Sequence, residues 1–309
     1  MNVVRSVADV RAAVSNARAR GEVIGFVPTM GFLHQGHLSL VDVARQHGAT
    51  FIVVSIFVNP TQFGPHEDFA SYPRNEDGDI ALLESRNVEL LFAPPPTEVY
   101  PDGFATTVHV AGVSEPLEGA RRPGHFDGVA TVVLKLFGMV NPDLAVFGRK
   151  DAQQCAVISR MTVDLNLSVR LVFGETVREG DGLAMSSRNA YLSAEERRIA
   201  PVLHRALQQG AAMVHAPGSD SESIEDAMHA VLSETGAALD YIELVDPVTF
   251  ARPEDLRRDL LLVGAIRLGA TRLIDNILVS STVPSAQLLK ATSAIVGIDI
   301  ADHDTGVPT

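Results

Sequence analysis

The chain has no tryptophan, one cysteine and four tyrosines among 309 residues. With Cys155 as the sole cysteine, neither an internal disulfide framework nor a multi-cysteine zinc site can form. The lack of tryptophan and the few tyrosines argue against aromatic platforms that stack nucleic-acid bases. Positive charge is in the minority, with 25 Lys and Arg against 38 Asp and Glu and a formal net charge of −13. So acidic a chain is a poor general binder of phosphate backbones, and no nucleic-acid partner is expected. One nucleotide can still be held by a local cluster of cations. No window reaches the roughly 18 continuous apolar residues of a membrane span. The opening stretch MNVVRSVADVRAAVSNARAR lacks the apolar run of a signal peptide. No membrane partner is expected, and the expected location is cytoplasmic. What is present is ordinary: 46% hydrophobic and 20% charged residues, enough for a globular core. The length suits one large domain or two smaller ones.

Up to residue 176, short apolar runs alternate with helical patterns. Strands are expected at 22–27, 51–58, 88–94, 143–148 and 169–174. Helices are expected from His34 to about Gln46 and over 75–86, 127–140 and 151–166. Near-continuous hydrophobic strands alternating with helices imply a parallel sheet covered on both faces. After residue 176 the rhythm changes. A polar loop over 176–193 precedes helical stretches at 194–215 and 221–236, then strands at 240–246, 259–269 and 271–280. The expected fold class is α/β: a Rossmann-like parallel-sheet domain over 1–176 and a smaller α+β domain over 177–282. Residues 283–309 show no pattern and are expected to form a disordered tail.

Five segments carry candidate chemistry. VPTMGFLHQGH (27–37) follows a strand and opens a helix. Ligands of open parallel sheets sit at the carboxyl ends of strands, and a helix start offers free N–H groups and a positive dipole end to phosphate. His34 and His37 are spaced for one helix face, and Gly36 between them leaves room for a phosphate. Alone, the pair also reads as two surface histidines. With no cysteine or third ligand nearby, the pair does not suggest a metal site. In SIFVNPTQF (55–63) a buried strand runs into Asn59-Pro60, which brings the amides of Asn59 and Gln62 to the strand's end. Neutral amides suit a substrate hydroxyl or carboxylate; a simple Asn-Pro turn is the plainer alternative.

In FGRKDAQQ (147–154) Lys150 offers a point charge to phosphate, Gln154 shares its face, and Asp151 either caps the helix or approaches magnesium through water. LAMSSRN (183–189) brings two hydroxyls and Arg188 together, either as an anion clamp or as a helix cap. PLEGARRPGHFDGV (116–129) gathers Glu118, Arg121, Arg122 and His125 in a stretch that by itself reads as a charged loop.

In this order and spacing, PTMGFLHQGH, VNPTQF, YPR (72–74), LEGARRPGHFDGV, FGRKDAQQ and MSSRN resemble the pantothenate synthetase family of the nucleotidylyltransferase superfamily. The resemblance covers about residues 20–280. It implies ATP-dependent condensation of pantoate with β-alanine through a pantoyl adenylate, with Mg2+ accompanying ATP, and a homodimer. It implies an ATP site lined by Met30, Gly31, Phe32, Leu33, His34, Gln35, Gly36 and His37, with His34 and His37 on the phosphates and His37 as proton donor. Gly148, Arg149, Lys150, Asp151, Val177, Met185, Ser186, Ser187 and Arg188 are the further ATP contacts implied. Gln62 and Gln154 are implied to hold pantoate, with Gln62 also near β-alanine, and Asn59 and Arg122 complete the expected substrate contacts. His34, His37, Lys150 and Arg188 form the expected catalytic set, and Asp151 the metal contact. Arg149 departs from the acidic or neutral residue common in the family, and Ala152 from a common aromatic.

The chemistry fits these residue types. A carboxylate is a poor acyl donor until its oxygen becomes a good leaving group, and attack on the α-phosphorus of ATP achieves this. The step needs neutralised phosphate charge more than acid–base work. An adenylyltransferase that leaves AMP on another small substrate shares the histidine signature without needing an amine site. A tRNA-synthetase-like enzyme is disfavoured by the acidic charge and the lack of a basic anticodon-binding module. Only Arg149 suggests a non-catalytic nucleotide sensor.

Overall fold

The computed structural model describes residues 1–65, 67–233 and 235–280. The tail expected over 283–309 lies outside the described residues.

Before residue 20 two elements go beyond those the apolar pattern predicts, β1 (Asn2–Val4) and α1 (Val7–Ala19). Helix α1 starts where the Ser6 side chain accepts the Asp9 N–H, and it buries Val10, Val14 and Ala17 at helical spacing. The chain then alternates through β2 (Ile24–Thr29), α2 (Gln35–Gln46), β3 (Phe51–Ile56), α3 (Glu76–Ser85) and β4 (Leu90–Phe92). Two single turns, α4 (Pro96–Val99) and α5 (Glu118–Arg121), lead into α6 (His125–Val140), β5 (Leu144–Gly148), α7 (Ala152–Asp164) and β6 (Arg170–Gly174). The β4 strand is shorter than its apolar run, although just outside it the Glu89 carbonyl accepts from Asn2 N–H and the Ala93 N–H donates to the Val4 carbonyl, both at 2.9 Å. Helix α6 begins before the expected residue 127, at His125, after Gly124 in the left-handed conformation.

The six strands form one parallel sheet in the order β1-β4-β3-β2-β5-β6. Side chains alternate strictly across it. Phe26, Val53, Leu90, Phe92, Ala145 and Phe147 join the core beneath α1, α6 and α7. Val27, Ile52, Val54, Leu91, Leu144 and Val146 join the core beneath α2 and α3. With both faces covered, the strands read as apolar runs rather than as alternating ones. Strand β2 lies between β3 and β5, where strand order reverses, so the crevice of an open α/β sheet opens above its carboxyl end.

The stretch expected as one helix over 194–215 is two, α8 (Ala194–Ile199) and α9 (Val202–Met213), divided at Pro201. A proline lacks the N–H that would continue the ladder. Then come α10 (Ser221–Ser233) and an antiparallel sheet of β7 (Ala238–Val245), β8 (Leu260–Leu268) and β9 (Thr271–Val279). One face of this sheet packs on α9 and α10 through Ile242, Leu262 and Ile266 against Leu207 and Met228. The other face, with Tyr241, Val245, Leu261 and Val263, merges with the core of the large sheet.

Candidate active site

The histidine segment leaves the carboxyl end of β2. His34 is the N-cap of α2 in extended conformation, and its Nδ1 accepts the Gly36 N–H at 3.1 Å. The Nδ1 of His37 accepts the His34 N–H at 3.3 Å, closing a reciprocal capping box made of two imidazoles. A Cβ on Gly36 would meet the His34 ring at 2.9 Å. The glycine makes room for this imidazole, a different reason from the phosphate approach expected.

The structure corrects the expectation of free N–H groups at this helix start. The N–H groups of Gly36 and His34 go to imidazole nitrogens, and that of His37 goes to the His34 carbonyl. Those of Phe32 and Leu33 are taken by Asp79 at 2.8 and 2.6 Å. Each ring accepts at Nδ1, so the neutral form of each carries its proton at Nε2. Burial and then the Lys150 ammonium push His34 down to about 4. Burial, His34 and Lys150 push His37 down to about 3. Both rings are neutral near pH 7, and each offers the cavity an Nε2–H hydrogen-bond donor.

One cavity of about 800 Å³ joins the motifs. Met30, His34, Gly36 and His37 line it from the β2 end, and Gly148, Lys150, Asp151 and Gln154 from the β5 end. Gln62 and Arg122 line a further wall, and Val177, Met185, Ser186, Ser187 and Arg188 close it from the loop before α8. Thus Lys150 and Arg188 share one cavity with both imidazoles.

Several expected contacts do not reach that cavity. Gly31, Phe32 and Leu33 lie behind it, the last two tied to Asp79. Gln35 is exposed and accepts from Arg86. Arg149 turns aside to pair with Glu175 at 3.0 Å, its guanidinium 5.8 Å from the Phe173 ring centre. Asn59 is 1% exposed, and its amide is spent internally. Its Nδ2 donates to Gln62 Oε1 and the Gly128 carbonyl, and its Oδ1 accepts from Thr61 and Tyr100. Asn59 therefore aims Gln62 and offers no group to a ligand.

Arg122 and Arg188 both line the cavity, yet each already holds a carboxylate. Arg122 makes a bidentate pair with Glu67 at 2.6 and 2.7 Å, and Arg188 one with Asp68 at 2.9 Å for both bonds. His125 links Arg122 to the Gln62 turn: its Nδ1–H donates to the Gln62 carbonyl at 2.8 Å, and its Nε2 accepts from Arg122 at 3.0 Å. Both ring nitrogens are used in the neutral state, and burial with Arg122 pushes His125 down to about 4.

Beneath this wall Glu118 accepts from Arg272 on β9 at 2.6 and 2.8 Å and from the Tyr241 hydroxyl at 2.7 Å. Burial opposes its charge, but the Arg272 hydrogen bonds overcome this and hold its carboxyl below the usual range. Glu67, Asp68, Asp79 and Arg272 belong to none of the sequence motifs. None stands in a spacing pattern with its partner, so no local signal points to them.

Comparison with known proteins agrees with the resemblance. The sequence matches the family described as pantoate-beta-alanine ligase over residues 2–278. It is 52% identical over 281 residues to the pantothenate synthetase of Stutzerimonas stutzeri, covering 90% of this chain and 98% of that one. It is 46% identical over 280 residues to that of Acetivibrio thermocellus, covering 90% and 99%. Among solved structures, the pantothenate synthetase of Thermus thermophilus superposes with a TM-score of 0.86 at 47% identity, covering 91% of this chain and 100% of that one. The pantoate-beta-alanine ligase of Francisella tularensis, complexed with beta-gamma ATP and beta-alanine, gives 0.74 at 34% identity, covering 90% and 97%. With the family matched along nearly the whole described chain and its motifs gathered around one cavity, the chain belongs to the pantoate-beta-alanine ligase family.

Proposed function

We propose that the protein joins pantoate to β-alanine with ATP, forming pantothenate, AMP and pyrophosphate. A pantoate carboxylate oxygen attacks the α-phosphorus of ATP, the bond to the β-phosphate oxygen breaks, and pyrophosphate leaves. The β-alanine amine then attacks the carbonyl of the pantoyl adenylate and AMP leaves. The observation that carries this reading is that two neutral Nε2–H donors, the Lys150 ammonium and the amides of Gln62 and Gln154 line one cavity.

In this reading His34, His37 and Lys150 meet the phosphates, where charge moves in the first step. Each imidazole donates a hydrogen bond, with His37 nearest the reacting phosphate. Gln62, aimed by Asn59, and Gln154 hold pantoate by neutral hydrogen bonds that leave its carboxylate reactive. Arg188 joins the phosphates by exchanging Asp68 for them. The segment 177–282 acts as a lid that keeps water from the adenylate.

Magnesium enters as part of the nucleotide substrate. Among the described residues no group of three or more His, Cys, Asp or Glu is placed to hold a metal. Mg2+ bound mostly by phosphate and water needs no such cage, and Asp151, on the cavity wall beside Lys150, is the carboxylate available to it. Among the described residues no helix is long and apolar enough to cross a membrane. The reading also carries a homodimer, checked by sedimentation of the purified protein, and a cytoplasmic location, checked by cell fractionation.

The test is pyrophosphate and AMP release from ATP and pantoate, with and without β-alanine. Pyrophosphate release in one burst without the amine, and continuous AMP release only with it, is the expected result. AMP that stays on the substrate when β-alanine is present would sink the reading in favour of simple adenylyl transfer.

A further inference from the structure

After β2 the chain reverses through two consecutive left-handed residues, Gly31 (φ +83°) and Phe32 (φ +51°). For Phe32 this conformation is strained, because its Cβ crowds the carbonyl. Such a turn persists only where its surroundings hold it. Asp79, on α3 and 3% exposed, supplies that hold. Its Oδ2 accepts the Phe32 N–H and its Oδ1 the Leu33 N–H, so both carboxylate oxygens are engaged by adjacent peptides. On the other side the Phe32 carbonyl accepts from the buried Ser187 hydroxyl at 3.1 Å. The Phe32 peptide unit is thus gripped from both ends, and His34 begins two residues later.

We propose that Asp79 is a positioning residue: it fixes the strained Gly31–Phe32 turn so that the His34 and His37 imidazoles face the nucleotide phosphates, and the Ser187 loop registers against the same turn through the Phe32 carbonyl. The proposal rests on the reading of His34 and His37 as phosphate contacts. A carboxylate is required here because two N–H donors side by side need two acceptors, and charge-assisted hydrogen bonds are the stronger kind. An amide in its place turns an N–H2 toward one of those donors.

Asp79→Asn therefore raises the ATP KM about tenfold and lowers kcat about tenfold, the loss of one or two hydrogen bonds to a charged group. Pantoate affinity, measured without ATP, stays within about twofold, since Gln62 and Gln154 stand on other elements. In protein with 15N-labelled histidine, the His34 and His37 ring signals move while those of His125 stay. Ser187→Ala combined with Asp79→Asn gives an ATP KM increase smaller than the product of the single effects, because both act on one peptide unit. If Asp79→Asn does not fold, Gly31→Ala tests the same contact. Its added methyl would sit 3.1 Å from Asp79 Oδ2 and 2.9 Å from Ile56 Cγ2, and the same split between ATP and pantoate is expected.

Unchanged ATP KM and histidine signals in Asp79→Asn overturn the proposal, as does equal loss of pantoate and ATP binding, or full additivity with Ser187→Ala. A wild-type protein that releases no pyrophosphate defeats the functional reading instead, and the histidine signals then decide the role of Asp79 alone.

Discussion

The Nδ1 atom of His37 accepts the backbone N–H of His34 at 3.3 Å, and the two ring centres lie 4.1 Å apart. This contact sets the proton of His37 at Nε2, and the matching bond from Gly36 N–H does the same for His34. Two uncharged donors so close together can both point at one anion without repelling each other, as two imidazolium ions would.

His37→Ala is expected to lower the single-turnover rate of adenylate formation by two orders of magnitude or more, the scale of one lost transition-state donor. Its melting curve should stay close to wild type. A variant with near-normal turnover would remove His37 from the mechanism. His37→Gln retains a donor and should fall between the two.

Gln62→Ala should weaken pantoate about tenfold, the value of one or two neutral hydrogen bonds, while ATP affinity stays within about twofold. Isothermal titration with each ligand separately reads both numbers. The opposite pattern would mean that the two ends of the cavity are exchanged.

Lys150 and Arg149 are neighbours with opposite expectations. Lys150→Ala should raise the ATP KM by an order of magnitude or more, the scale of a lost charge-assisted contact to phosphate. Arg149→Ala should change it by less than about threefold, because the guanidinium is turned to Glu175, a largely exposed carboxylate, and pairs with a solvated partner contribute little. Equal losses would show that Arg149 leaves Glu175 for the nucleotide.

Stability should fall on acidification. Folded His34, His37 and His125 titrate at about 4, 3 and 4, below the ordinary histidine value of 6.5. Below pH 6.5 the unfolded chain binds more protons than the folded one, so stability is full above 6.5 and is lost as pH falls toward 4. His125→Asn, which can still donate to the Gln62 carbonyl, should narrow the difference in urea-unfolding free energy between pH 7 and pH 4.5 by on the order of 1–2 kcal/mol. An unchanged pH dependence would show that His125 titrates in the folded protein as it does in the unfolded chain.

Arg272→Met removes the nearer of two cations from the buried Glu118 carboxylate and should cost up to about 3 kcal/mol in urea unfolding, less than stranding a buried charge outright, because Arg122 stays at 3.7 Å. The double variant Arg272→Met, Glu118→Leu should recover part of that. If the single change costs under about 1 kcal/mol, the pair is solvated in solution.

The sequence by itself determined the parallel sheet, because strands buried on both faces are apolar at nearly every position, and Phe51–Ile56, with Ser55 its one polar residue, and Leu144–Gly148 show it in one line of residues. It also pointed to which motifs meet, since His34, His37, Gln62, Lys150, Gln154 and Arg188 stand at strand ends or in the polar loop and line one cavity. Strand β1 and the break at Pro201 were less legible: three residues are too few to show a period, and one proline weakens a helical pattern without erasing it. What each polar group does was decided only by tertiary structure. Asn59 and Arg149 look as available in sequence as Gln62 and Lys150, yet one is sealed under Gly128 and the other drawn to Glu175. Asp79 carries no local signal, because its partners Phe32 and Leu33 lie on a different element far along the chain. Periodicity records how a segment meets solvent and core, whereas a hydrogen bond between distant segments depends on where the packed sheet and helices carry both of its ends.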